Sequence, residues 1–171
     1  LSRVGRLADS FATGNAMKEG IPVAIVGAPN RGKSTLLNAL LGDDRAIVSD
    51  IPGTTRDTVE DACTLDGLRL RFIDTAGLRD TDDVVEAEGI RRALAKASSA
   101  STVLLLLDAS TDAQEDVQAR IDALELAPNA HVIVIWNKCD LAPAPTGAVD
   151  VPSLSLSAST GAGLDELRQA L

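Results

Sequence analysis

The chain has 171 residues, a formal charge of −9, a hydrophobic fraction of 45% and 24% charged residues. That length suits one well-buried domain and is short for two, while the acidic balance argues against this segment gripping a nucleic-acid backbone by itself. Aromatics make up only 2%, so the core must come from Val, Ile, Leu and Ala, as in the doubly buried strands of a parallel sheet.

Residues 1–20 carry apolar side chains at Leu7, Phe11 and Met17 and predict a leader helix ending near Gly20, a piece of a flanking helical domain; 21–171 forms the main domain. The apolar run 22–26 predicts a buried strand and 35–41 a helix that Gly42 stops. Between them, Gly27-Ala28-Pro29-Asn30-Arg31-Gly32-Lys33-Ser34 matches G-x-x-x-x-G-K-[ST], the phosphate-binding loop. Its glycines let consecutive backbone N–H groups curl around a β-phosphate, and the helix N-terminus adds its dipole. Lys33 then bridges the β- and γ-phosphates and the Ser34 hydroxyl holds Mg²⁺. Asn30, Arg31, Gly32, Lys33, Ser34 and Thr35 are the nucleotide-binding candidates of this stretch.

Residues 43–57 are polar, with Pro52-Gly53 breaking any regular element. Thr54 and Thr55 in this loop offer the second hydroxyl on Mg²⁺. Strands are predicted over 58–65 and 68–73, joined by Asp66-Gly67, a strong two-residue hairpin signal. The second strand runs into Asp74-Thr75-Ala76-Gly77, where Asp74 can take a water of the Mg²⁺ shell and the Gly77 N–H can meet a γ-phosphate. Leu78 follows, at the place where Ras-like switches carry a water-orienting glutamine. A leucine cannot hydrogen-bond water, so another group must act; Asp80, Asp82, Asp83, Glu86 and Glu88 are all nearby, and the residues themselves do not choose among them. A helix to about residue 97 buries Ile90, Ala93 and Leu94.

The remainder alternates: strand 102–107, helix about 113–126, strand 131–136, loop 137–150, strand 154–157, helix 164–171. Such alternation predicts an α/β chain of the P-loop NTPase type, three layers αβα, with a mostly parallel six-stranded sheet and one antiparallel edge strand. Ligands then bind at the carboxyl ends of the strands, where Gly27, Asp74, Asp108 and Asn137 lie. Asn137-Lys138-Cys139-Asp140 selects the base. Guanine offers N1–H and its 2-amino group to the Asp140 carboxylate, whereas adenine presents an acceptor at N1 and leaves that charge unpaired. Asn137 braces the loop and meets N7, the Lys138 stem lies over the ring, and Ser157-Ala158-Ser159 aims the Ala158 N–H at guanine O6. His131 opens a strand and is assigned to packing. Cys63 and Cys139 have neither metal-ligand spacing nor enough companions for a disulfide framework, which fits a reducing compartment. The apolar runs 103–107 and 132–136 are of strand length, and no signal peptide is recognisable, so a cytoplasmic location without membrane contact is expected.

These motifs resemble the translation-factor-related (TrmE-Era-EngA-like) GTPases, and more narrowly the G domains of the MnmE (TrmE) family of tRNA-modification GTPases. The narrower match rests on the phosphate loop, on Ala46-Ile47-Val48-Ser49-Asp50-Ile51-Pro52-Gly53-Thr54-Thr55-Arg56-Asp57, and on Asp74-Thr75-Ala76-Gly77-Leu78-Arg79 running through Val85-Glu86-Ala87-Glu88-Gly89-Ile90-Arg91-Arg92. The resemblance implies GTP hydrolysis to GDP and phosphate without an arginine finger, in G domains that dimerise across the nucleotide face, with K⁺ taking the finger's place. It puts Asn30, Ser49, Ile51 and Thr54 around K⁺, gives Ser34, Thr55 and (through water) Asp74 to Mg²⁺, and makes Glu86 the residue that orients the attacking water. Catalytic roles then fall to Glu86, Lys33 and Asn30. The domains and cysteine motif that complete such enzymes are missing from these 171 residues. The segment is therefore expected to hydrolyse GTP but to reach tRNA and the FAD-containing MnmG partner only through a larger parent. The competing expectation is a nucleotide-gated switch of the Era or Der type acting in ribosome assembly.

Overall fold

The computed structural model describes residues 20–42, 61–65, 67–73, 95, 98–124, 126–147 and 150–171. The leader helix and the helix carrying Ile90, Ala93 and Leu94 lie outside the described residues. Among those described, β1 (Ile21–Val26), β2 (Asp61–Leu65), β3 (Leu68–Phe72), β4 (Thr102–Asp108), β5 (His131–Asn137) and β6 (Ser153–Ser155) form one sheet in the order β2-β3-β1-β4-β5-β6. Only the β2–β3 pair is antiparallel. Gly67 closes that hairpin at φ 84°, a left-handed conformation that glycine enters at little cost. The α/β expectation of a mostly parallel six-stranded sheet with an antiparallel edge strand therefore holds.

Apolar runs buried on both faces explain the strands. Along β4, Leu104 and Leu106 face one core together with α1 (Lys33–Leu41) and α3 (Leu164–Ala170); Val103, Leu105 and Leu107 face a second core with α2 (Val117–Asp122). In α1, Leu36, Leu37, Leu40 and Leu41 form one buried stripe at helical spacing. α3 contributes Leu164 and Leu167 in the same way.

Most predicted ends shift by a residue or two, as where the first helix begins at Lys33 rather than 35, and two elements differ more in form. The 113–126 helix divides into a 3₁₀ turn (Gln114–Asp116) and the shorter α2, in which Val117 and Ile121 are buried, while Leu124 and Leu126 pack against the same core from beyond its end. The final strand is Ser153–Ser155 rather than 154–157. Its ladder nevertheless extends one residue further, since the Leu156 N–H donates to the Trp136 carbonyl (2.8 Å) and its own carbonyl accepts from the Cys139 N–H (3.1 Å).

Strand order positions the site. From β1 the chain returns on one side as β3 and then crosses to the other side as β4, so β1 is a topological switch point with a crevice at its carboxyl end. The seven-residue register of β4 on β5 sets Asp108 opposite Asn137, and the Ala109 N–H donates to the Asn137 carbonyl at 2.9 Å.

Candidate functional site

The loop between β1 and α1 adopts a conformation that few residues tolerate. Gly27 crosses β4 so closely that a Cβ there would stand 2.5 Å from the Leu106 carbonyl oxygen. Asn30 has φ 60° and Gly32 φ 87°, left-handed values that favour Asn and Gly. Gly32 is also the N-cap of α1 and brings no capping side chain. Intrahelical bonding begins with the Leu36 N–H to the Gly32 carbonyl (2.9 Å), so the amides of the first turn, Ser34 and Thr35 among them, point out of the helix end. An uncapped first turn behind a glycine cradle fits an anion such as a polyphosphate. Ser34 and Thr35 are exposed in that first turn, where a hydroxyl can reach Mg²⁺. Lys33 folds across its own loop and donates from Nζ to the Ala28 carbonyl at 2.8 Å.

Asn137 joins the loop to the other half of the site. Its Nδ2 donates to the Arg31 carbonyl (2.8 Å) and its Oδ1 accepts the Ala158 N–H (2.9 Å), with the residue only 2% exposed. The N–H expected to meet guanine O6 is thus engaged by Asn137. Lys138, at φ 64°, reaches back over the phosphate loop and donates Nζ to the Asn30 carbonyl at 2.8 Å. Ser157 is buried and organises the turn beyond β6: its Oγ lies 3.0 Å from Ser159 Oγ, and its backbone N–H donates to the Ala162 carbonyl at 2.9 Å. Asp140 is exposed on the rim, beside a cavity of about 170 Å³ lined by residues that include Cys139, Ser157, Thr160 and Gly163. The cavity backs the base-selecting loop.

Beneath the loop lies a charge cluster that the motifs did not announce. Asp108 is paired with Lys138 Nζ at 2.7 Å and accepts from Ser110 Oγ at 2.6 Å. Burial alone would raise its pKa. The hydrogen bonds from Lys138 and Ser110 outweigh that effect and hold the carboxyl down to about 2. Asp112 is buried nearby and receives two guanidinium groups, Arg31 Nη2 (3.0 Å) and Arg120 Nη2 (2.9 Å). In the sequence Asp108 is marked only by its place at a strand end, and neither Asp112 nor Arg120 belongs to a motif. The available signal was an arginine inside a phosphate loop, which needs a counter-charge of its own.

The structure therefore brings Asn30, Arg31, Gly32, Lys33, Ser34 and Thr35 together with Asn137, Lys138, Asp140, Ser157, Ala158 and Ser159 at one end of the sheet. Ser49, Ile51, Thr54, Thr55, Asp74, Gly77 and Glu86 lie outside the described residues. No helix among the described residues is long and apolar enough to cross a membrane.

A family model described as "50S ribosome-binding GTPase" matches residues 22–138. Among curated proteins, the tRNA modification GTPase MnmE of Syntrophotalea carbinolica is 49% identical over 173 residues, covering 100% of this chain and 37% of that protein. MnmE of Christiangramia forsetii is 47% identical over 185 residues, covering 97% of this chain and 39% of its own length. The chain thus spans less than two fifths of these curated relatives. Among solved structures, the G domain of the T. maritima iron transporter FeoB superposes with a TM-score of 0.60 at 28% identity, covering 87% of this chain and 94% of that one. Aquifex aeolicus Era bound to GDP and AlF4⁻ gives 0.58 at 31% identity, covering 87% and 55%.

Proposed function

The chain belongs to the 50S ribosome-binding GTPase family, and on that premise we propose that it is the G domain of a cytoplasmic tRNA wobble-uridine modification enzyme, driven by K⁺ and by dimerisation of the G domain. Binding GTP or GDP and hydrolysing GTP with Mg²⁺ come with the family. The observation that carries the narrower reading is the near-complete coverage of the chain by MnmE proteins at 49% and 47% identity, against 31% and 28% for Era and FeoB.

The residues fit the chemistry. The Gly27–Gly32 cradle and the open first turn of α1 bind phosphates, and Ser34 with Thr55 and Asp74 would hold Mg²⁺. Asn30 sits exposed at the loop's tip with a side-chain oxygen available to a monovalent cation; Ser49, Ile51 and Thr54 would complete that set. A cation there supplies positive charge where the β–γ bridge becomes more negative. Lys33 steadies the phosphates, and Glu86 orients the water that Leu78 cannot hold. In this reading the leader, 1–20, is the helical entry to a G domain spanning 21–171, and contacts with tRNA and the FAD-containing MnmG subunit are made by the larger parent.

Asn30→Gly is the discriminating variant, because glycine accepts φ 60° and only the amide is lost. GDP affinity should stay within about threefold while the acceleration by K⁺ disappears. If Asn30→Gly retains full K⁺ stimulation, the cation assignment fails, and the Era-type nucleotide switch becomes the better account.

A further inference from the structure

The phosphate loop is held from two sides, and only one of them belongs to the base-selecting motif. Lys138 and Asn137 hold the carbonyls of Asn30 and Arg31. The Arg31 side chain runs the other way, chiefly to Asp112, with Asp108 Oδ2 more distant at 3.7 Å from its Nη1. Its Nη2 donates to Asp112 Oδ1 at 3.0 Å, and its Nε stands 2.7 Å from Oδ2 at ion-pair distance without hydrogen-bond alignment. Arg120 of α2 donates to the same Oδ1 at 2.9 Å, and the Asp108 N–H donates to Oδ2 at 2.8 Å. Asp112 is itself anchored, since its own N–H bonds the Asp108 carbonyl at 2.9 Å at the end of β4.

A carboxylate removed from water is costly unless its oxygens are satisfied; here each oxygen has a donor and the side chain is 2% exposed. Such a group does not follow the loop. The loop follows it. We infer that Asp112 is a positioning residue for nucleotide binding: by gripping the Arg31 guanidinium it fixes the phosphate loop in its receiving shape before any nucleotide arrives. Asn30 holds a left-handed φ of 60° that a non-glycine residue keeps best where its surroundings fix it, and ordering the loop in advance lowers the cost of binding. Arg120 contacts the same carboxylate but does not touch the phosphate loop in any described contact, so it serves stability alone.

The test compares release of a fluorescent GDP analogue, with thermal unfolding in parallel, for the 171-residue chain and its variants. Asp112→Asn and Arg31→Ala should each speed release about tenfold, equivalent to about 1.4 kcal/mol, with the double variant no faster than either single one. Arg120→Ala should lower the unfolding midpoint yet leave release within about twofold. Arg31→Ala keeps Asp112 paired with Arg120 and the Asp108 N–H, so it carries the test even where Asp112→Asn does not fold. Unchanged release in Arg31→Ala, or equal acceleration by Arg120→Ala, would overturn the proposal.

Discussion

A Cβ added at Gly32 would stand 2.5 Å from Nδ2 of Asn137. That amide cannot step aside cheaply, because Nδ2 bonds the Arg31 carbonyl and Oδ1 the Ala158 N–H. Gly32→Ala therefore meets both left-handed strain at φ 87° and a fixed neighbour. It should lose about 2–4 kcal/mol of stability and most guanine-nucleotide affinity. Gly67→Ala, at nearly the same φ of 84° but with nothing within 4 Å, should cost about 1–2 kcal/mol and leave nucleotide affinity intact. Denaturant unfolding beside nucleotide titration separates the two.

Asn137→Ala leaves the Arg31 carbonyl and the buried Ala158 N–H without their partner. The expected loss is about 2–4 kcal/mol. Asn137→Asp should fare no better, since a carboxylate keeps the Ala158 bond but turns an acceptor toward the Arg31 carbonyl. Chemical denaturation of both variants checks this ordering.

Asp108 predicts an acid limb in the stability curve. Its carboxyl is depressed from 3.8 to about 2 in the folded chain, so the stability it adds is fully present above about pH 4 and is lost as pH falls through 2. Asp108→Asn should be less stable at neutral pH and should show a shallower decline between pH 4 and 2 than the parent chain. Parallel slopes in thermal unfolding across that window would contradict the Lys138–Asp108 pairing.

Asp140→Asn exchanges an acceptor for an amide that can donate. Guanine's 2-amino group then faces a donor, so GTP affinity should fall at least about a hundredfold. Xanthosine triphosphate, with a carbonyl in that place, should bind the variant better than GTP does. Competition between the two nucleotides measures the switch.

Much of this was legible in the sequence for a physical reason. Strands buried on both faces read as aliphatic runs, so residues 102–107 and 131–136 stood out as the strands that are Thr102–Asp108 and His131–Asn137, and the phosphate loop and Asn137–Asp140 have chemistry tied to fixed spacing. Asp112 was not legible, because its partner Arg31 is 81 residues away in the chain and only the β4–β1 packing brings the two together; Arg120 pairs with Asp112 and stayed hidden with it. The occupied Ala158 N–H was equally hidden: spacing placed it near the base but could not show that Asn137 would bond it.

The most direct measurement is the rate of GTP hydrolysis as a function of protein concentration, in K⁺ and in Na⁺ at equal ionic strength. A dimerising G domain with a cation in place of an arginine should turn over faster per molecule as its concentration rises, in K⁺ but not in Na⁺. A rate per molecule that is flat with concentration and identical in both salts would contradict the proposal.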